Sequence, residues 1–211
     1  MISTNQTDSR QANVEYAMKG DQPSKRILDV GCGHRKTPGS IGMDVLQDSA
    51  ADVIADIAGP WPFDDHSFDL VVANHVLEHV PDVVHVMEEA YRVLAPGGRL
   101  LVRGPHFSSP QIVWSDPTHR RALSMAMFLH FQPDTAHPYS KVRFRIARAV
   151  LRCTSEPQAG MQERWFRPVL RGALRSYESW INSAPIRQQR AERMFFRVVP
   201  FSEVEVELEA V

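Results

Sequence analysis

Several scarce features each exclude a class of protein. The two cysteines, Cys32 and Cys153, cannot build a disulfide framework, and their spacing is not that of a structural zinc site. No apolar run approaches the roughly 18 residues that a membrane-crossing helix needs. The opening stretch MISTNQTDSRQANVEYAMKG is polar and lacks the apolar centre of a secretory leader. Together these shortages predict a soluble protein of a reducing compartment, most simply cytoplasmic. No GK[ST] signature is present to cradle phosphate, and Lys36 occupies the place of the third glycine of a dinucleotide fingerprint. There is no internal repeat.

Net charge is also nearly missing, at −1 over 211 residues, but it conceals a segregation. Residues 1–118 carry 9 basic and 16 acidic side chains, residues 119–197 carry 15 and 5, and residues 198–211 carry 4 acidic and no basic ones. Only 4 of the 24 basic residues are Lys. An Arg-dominated segment favours fork-like contacts with anions or carboxylates over diffuse solubility charge. The hydrophobic share of 43% is that of a globular chain, and the length suits one domain with an elaboration.

The first half alternates short apolar runs with loops and one helix. Residues 26–30 (RILDV), 41–45 (IGMDV), 53–57 (VIADI), 68–73 (FDLVVA) and 99–103 (RLLVR) are candidate strands. Their continuous apolar character predicts parallel strands buried on both faces. Val84, Met87, Tyr91 and Leu94 recur at helical spacing, with Asp82 placed to cap the start and Pro96-Gly97-Gly98 to stop the helix. The second half ends in period-two patterns. Val142, Phe144 and Ile146 alternate with Arg143, Arg145 and Ala147; Val204, Val206 and Leu208 alternate with Glu205, Glu207 and Glu209. These predict an antiparallel pair at the sheet edge with an Arg row facing a Glu row. Residues 153–197 between them read as helical and loop-rich, with Trp165, Phe166, Tyr177, Trp180, Phe195 and Phe196 available for packing.

In ILDVGCG the first strand ends at Gly31-Cys32-Gly33, where glycine lets a ligand approach the backbone. Asp44 follows only 13 residues after Gly31, which leaves room for a loop over His34–Ser40 rather than a full helix. The succession ILDVGCG, GMD, ADI, PFDDHSFDLVVANHVLEHV and YRVLAPGGRLLV, over residues 26–106, resembles a class I S-adenosylmethionine-dependent methyltransferase. The resemblance implies an α/β, Rossmann-like fold: a seven-stranded, mostly parallel sheet with an antiparallel C-terminal hairpin. Residues 1–22 read as a flexible or partly ordered N-terminal segment, which leaves a methyltransferase domain over 23–211. Within that domain the cofactor half is 23–106, the acceptor region and cap about 107–197, and the terminal strand 203–211. The resemblance also implies residue roles. Asp29 and the Gly31, Cys32 and Gly33 backbone would hold the methionine moiety, Asp44 the ribose hydroxyls and Asp56 the adenine amino group. Val45 and Ile57 would lie beside these carboxylates, and Asn74 and His75 would line the floor near the sulfonium. All follow strand carboxyl ends, where open α/β sheets bind ligands.

The acceptor chemistry must come from elsewhere. Removing a hydroxyl proton needs a base or a metal ion, and GPHFSSPQIVWSDPTHRRAL beyond the fifth strand offers His106, Asp116 and His119. His106 follows the strand directly and is the expected base. Asp116 and His119 are three apart around Pro117. They read equally as a helix cap with a solvated neighbour, or as a base or Mg²⁺-binding pair, although a His ligand suits Mg²⁺ poorly. His75-Val76-Leu77-Glu78-His79 matches H-x-x-E-H, a zinc-peptidase arrangement, within a stretch the methyltransferase resemblance already covers. PHFSSP and WSDPTHRR further resemble glycan O-methyltransferases of the mycobacterial methylmannose polysaccharide type. The expected reaction is methyl transfer to a hydroxyl of a small molecule or oligosaccharide, with a sugar in a glycan first. Trp114, Trp165 and Trp180 are candidate sugar platforms. A natural-product O- or N-methyltransferase is the alternative, ahead of an RNA methyltransferase or a peptidase. No membrane span or nucleic-acid partner is expected, and a homodimer is compatible with the sequence.

Overall fold

The computed structural model describes residues 26–135, 140–153, 167–195 and 200–211. The expected segment 1–22, together with His137, Trp165, Phe166 and Phe196, lies outside them. Among the described residues seven strands form one sheet in the order β3-β2-β1-β4-β5-β7-β6. They are β1 (Ile27–Val30), β2 (Ile41–Asp44), β3 (Val53–Ile54), β4 (Phe68–Asn74), β5 (Leu94–Pro105), β6 (Phe144–Arg152) and β7 (Glu203–Ala210). The first five run parallel to one another, and β7 runs antiparallel to both of its neighbours. The apolar runs account for this: every residue of β1 is buried, as are six of the seven in β4, which suits central strands of a parallel sheet. β3 is shorter than the apolar run 53–57, although the Ala55 N–H just beyond it still donates across to the Asp44 carbonyl at 3.0 Å.

The connection from β1 to β2 contains turns and no helix, as the close spacing of Gly31 and Asp44 requires. Helix α1 (Val83–Val93) begins where expected, with Asp82 Oδ1 accepting from the Val84 and His85 N–H groups at 2.8 and 3.2 Å. Its buried stripe is Val83, Val86, Met87, Ala90 and Val93, rotated from the expected one. Val84 and Tyr91 sit at the stripe's margin, where the long Tyr91 side chain reaches out to donate to the Val211 carbonyl at 2.5 Å. Leu94 has left the helix and pairs with Phe68 at the start of β5. Gly97, at φ +74°, makes the turn that separates this first contact from the main strand.

The C-terminal strands pair antiparallel at the sheet edge, as expected, with the Arg row facing the Glu row. β7 lies inside the sheet, between β5 and β6, so its Glu row meets arginines from both sides. Arg99 and Arg103 of β5 reach Glu207 and Glu203, while Arg145 and Arg152 of β6 reach Glu209 and Glu205. The Arg103 contact is a fork, with Nε and Nη2 at 3.0 and 2.5 Å from Glu203 Oε2. The strict alternation expected for β6 is broken between Ile146 and Arg148. This bulge reverses side-chain parity, so odd-numbered Arg145 and even-numbered Arg148 and Arg152 all oppose the Glu row. Glu203, Glu205 and Glu207 are buried, which charged groups tolerate when they are paired and hydrogen-bonded.

Beyond β5 lie short helices α2 (Pro110–Val113) and α3 (Met125–Phe128), the latter continued by a 3₁₀ turn at Leu129–Phe131. Beyond β6 are α4 (Arg167–Ile181), α5 (Pro185–Arg190) and one π-helical turn at Ala191–Phe195. The opposite face of β7, formed by Val204, Val206 and Leu208, joins a single large core with Leu28, Met43, Met87 and Phe128.

Candidate active-site cleft

A cleft of about 550 Å³ opens at the carboxyl ends of β1, β2 and β4, within the range of small-molecule and cofactor sites. Gly31, Asp44, Val45, Asp56, Ile57 and His75, all expected cofactor residues, line it. The structure thus brings six of the ten together. Gly31 has φ +61°, and a Cβ there would lie 2.5 Å from Val76 Cγ2. Only glycine therefore lets the chain turn this closely above β1. Asp44 is pinned by two backbone donors, Gly33 N to Oδ2 at 2.8 Å and Leu46 N to Oδ1 at 2.9 Å. A carboxylate has further lone pairs beyond these two bonds, and this one borders the cleft. Asp56 sits on the exposed side, its Oδ1 accepting from Ala58 N at 2.9 Å.

The other four serve the cleft from behind or lie elsewhere. Asp29 is buried and accepts from the Thr37 N–H at 2.7 Å, which ties down the loop that replaces a helix. Gly33 supports Asp44 through its N–H. Cys32 is 2% exposed, and burial, assisted by the charges of Asp29 and Asp44, pushes its thiol up to about 11. Asn74 borders a separate, smaller cleft with Val72, Arg103 and Glu205, away from the cofactor-sized one.

His75 has φ +55°, an uncommon backbone conformation for a residue with a side chain. Its Nδ1 lies 3.1 Å from Glu78 Oε1 and its Nε2 3.1 Å from Glu203 Oε1. The crowding of surrounding protein opposes its charge, but hydrogen bonds to Glu203 and then Glu78 outweigh that and raise it to about 9. Glu203 responds in kind. Burial works against its charge, yet His75 and Arg103 hold it below the usual carboxylate range.

The expected base is not at the cleft. His106 has no exposed surface, and neither ring nitrogen is open to an acceptor. Nε2 lies 2.9 Å from Glu192 Oε1, while Nδ1 accepts from the Ser108 N–H at 3.2 Å and contacts Ser108 Oγ at 2.8 Å. Glu192 also accepts from the Met125 and Ala126 N–H groups at 2.6 and 3.3 Å, capping α3 from the π-helical turn. A sequence shows that His106 follows β5 but not that its ring turns inward.

Asp116 and His119 do come near the cleft, but as parts of different arrangements. Asp116 Oδ1 accepts from the Thr118 hydroxyl and N–H at 2.6 and 2.8 Å, which keeps the Asp116 carboxyl below its ordinary range. The Thr118 oxygen in turn lies 2.9 Å from His79 Nδ1. Because that hydroxyl proton goes to Asp116, His79 Nδ1 is the donor to Thr118, and Nε2 keeps its lone pair. His119 Nδ1 lies 2.6 Å from the Val113 carbonyl and therefore also donates. Its ring stands edge-on to His79, with centroids 4.7 Å apart. His79 and Thr118 line the cleft. The H-x-x-E-H spacing was the available signal for His79, but the fold spans His75 between Glu78 and Glu203 and sets His119 beside His79. His119 accordingly pairs with His79 and Glu78 rather than with Asp116.

Comparisons with known proteins agree with this architecture. Residues 43–102 match the family model for a methyltransferase domain. The chain is 33% identical over 84 residues to the demethylmenaquinone methyltransferase of Bacillus cytotoxicus, covering 40% of this chain and 32% of that protein. It is 31% identical over 126 residues to an uncharacterised transposon protein of Streptomyces fradiae, covering 49% and 36%. It thus spans about a third of the length of each of these relatives. A solved S-adenosylmethionine-dependent methyltransferase from Archaeoglobus fulgidus superposes with a TM-score of 0.58 at 16% identity, over 95% of this chain and 94% of that one. The geranyl diphosphate C-methyltransferase of Streptomyces coelicolor, solved with S-adenosylhomocysteine, gives 0.55 at 17%, over 95% and 76%. With strand order, cleft position and family match in agreement, the chain has the fold of a class I S-adenosylmethionine-dependent methyltransferase.

Proposed function

We propose that the chain binds S-adenosylmethionine in the 550 Å³ cleft and transfers its methyl group to a small-molecule acceptor. The observation that carries this reading is the convergence of Gly31, Asp44 and Asp56 on one cleft at the strand carboxyl ends. The residues fit the cofactor: a glycine turn where a Cβ would collide, and a fixed carboxylate with unused acceptor capacity. Bound there, S-adenosylmethionine supplies an electrophilic methyl carbon. The Gly31 backbone would receive its amino-acid end, Asp44 its ribose hydroxyls and Asp56 its adenine edge. Val45 and Ile57 would flank the base. Much of the rate enhancement in such a displacement comes from alignment and the exclusion of water.

Acceptor chemistry falls to the other wall of the cleft. His79, with a lone pair on Nε2 and its ring fixed by Thr118 and Asp116, takes the place expected for His106. The acceptor is a small molecule bearing a hydroxyl. A glycan sugar remains the finer reading, favoured by Trp114, 64% exposed on the loop that also carries Thr118 and His119. A second reading, methylation of a quinol-type ring carbon, is favoured by the demethylmenaquinone methyltransferases among the relatives. Transfer of labelled methyl from S-adenosylmethionine to oligosaccharides, phenols and quinols tests both. Product from none of these classes by protein that binds the cofactor would refute the small-molecule reading.

A further inference from the structure

Among the described residues, one group of His, Cys, Asp and Glu side chains converges closely enough to hold an ion. One ligand atom each from Glu78, His79 and His119 lies within 4.8 Å of the others. Three features distinguish this group from a chance cluster. Glu78 is 0% exposed and its Oε2 has no hydrogen-bond partner, a costly state for a buried carboxylate oxygen. Gly104 contributes to the space beside that oxygen, since a Cβ there would lie 3.2 Å from it. Both histidines donate through Nδ1 to oxygen, His79 to Thr118 and His119 to the Val113 carbonyl. Such outer contacts fix ring orientation and leave Nε2 free, as they do around metal-bound histidines. The His79 contact continues through Thr118 to the Asp116 carboxylate, which fixes the hydroxyl that holds the ring.

The loop carrying His119 is locked to the same place. The Arg120 N–H donates to the Glu78 carbonyl at 2.8 Å, and Arg121 Nη2 donates to the Val80 and Pro81 carbonyls at 2.8 and 2.7 Å. Two elements distant in sequence are thereby held against each other, and the Arg121 guanidinium is turned onto the backbone.

We infer that Glu78, His79 and His119 form a binding site for a divalent transition-metal ion of the Zn²⁺ class at the edge of the cleft. Two imidazoles and one carboxylate suit Zn²⁺, Fe²⁺ or Mn²⁺ and leave coordination positions open, whereas Mg²⁺ demands oxygen donors. Metal–ligand bonds of about 2.0–2.2 Å require the three atoms to draw together slightly from their present spread. With the ion bound, His79 Nε2 serves as a ligand and no longer as a base; the ion takes its part in the proposed methyl transfer by holding an acceptor oxygen in an open position, where it favours the deprotonated form. The acceptor would then be a chelating or hydroxyl-bearing molecule. Asp116 acts here as a positioning residue, through Thr118, and not as a ligand.

The test uses the full chain, stripped with chelator and titrated with Zn²⁺ and separately with Mg²⁺, with S-adenosylmethionine binding measured by calorimetry on the same samples. One equivalent of Zn²⁺ should bind, and Mg²⁺ should bind at least 100-fold more weakly. His119→Ala should weaken Zn²⁺ at least 100-fold. Thr118→Val, which removes only the outer contact, should weaken it about 10–100-fold, and circular dichroism should show both variants folded. Co²⁺ substitution should give visible absorption bands that His119→Ala removes. No stoichiometric Zn²⁺ binding, or equal binding by His119→Ala, overturns the site. Cofactor binding by metal-free protein, lost in Asp44→Ala, separates that failure from failure of the methyl-transfer reading on which the ion's role rests.

Discussion

Replacing His106 by Ala distinguishes a catalytic residue from a structural one. The buried ring meets a carboxylate on one side and Ser108 on the other. Loss of a hydrogen bond to a charged group costs about 1.5–3 kcal/mol and a neutral one about 1 kcal/mol. The cavity left by an imidazole adds to this, and Glu192 remains buried with only the α3 amides. The two bonds alone come to about 2.5–4 kcal/mol, a large part of the roughly 5–15 kcal/mol that holds a domain folded. With a urea slope of about 2–3 kcal/mol/M, the unfolding midpoint should fall by about 1–2 M with little change in slope. Below the transition, variant protein should retain cofactor affinity and turnover within a few-fold. Unchanged stability together with abolished turnover would refute the buried-histidine account and return His106 to the role of base.

Other substitutions and probes test separate parts of the cleft. Gly31→Ala puts a Cβ 2.5 Å from Val76 Cγ2 at φ +61°. It should destabilise by about 1–3 kcal/mol and weaken cofactor binding at least tenfold, read by thermal unfolding and calorimetry. Cys32, buried and shifted to about 11, should hold only about one thiolate in a thousand at pH 8. Mass spectrometry should show it alkylated far more slowly than free cysteine, and reaction at the free-thiol rate would contradict its placement. His79→Ala should spare cofactor affinity and lower turnover at least 100-fold; equal turnover would remove His79 from the acceptor chemistry.

What the sequence made legible was mainly local. The strand ends carrying Asp44 and Asp56, the glycine turn and the Asp82 cap each depend on residues close in the chain, and they fall where expected. The short spacing from Gly31 to Asp44 excludes an intervening helix because a helix needs residues that are not there. Long-range geometry was less legible. Whether β7 is an edge or an interior strand depends on its pairing with β5, and Arg99 and Arg103 give no sign of this until Glu207 and Glu203 lie opposite. One unpaired residue in β6 reverses the parity of every arginine after it, and no alternation pattern announces it. The inward turn of the His106 ring and the opening of His79 onto the cleft were hidden for the same reason. Adjacency to a strand end marks a layer of the fold but not the direction of a side chain, and His119 joins His79 only through a loop folded back from 40 residues away.

Calorimetric titration with S-adenosylmethionine decides whether Asp44 and the glycine turn form a cofactor cleft. One-to-one binding is expected, and Asp44→Ala should abolish it while the variant remains folded. Absence of binding at millimolar cofactor, or undiminished binding by Asp44→Ala, would contradict the cleft's assignment.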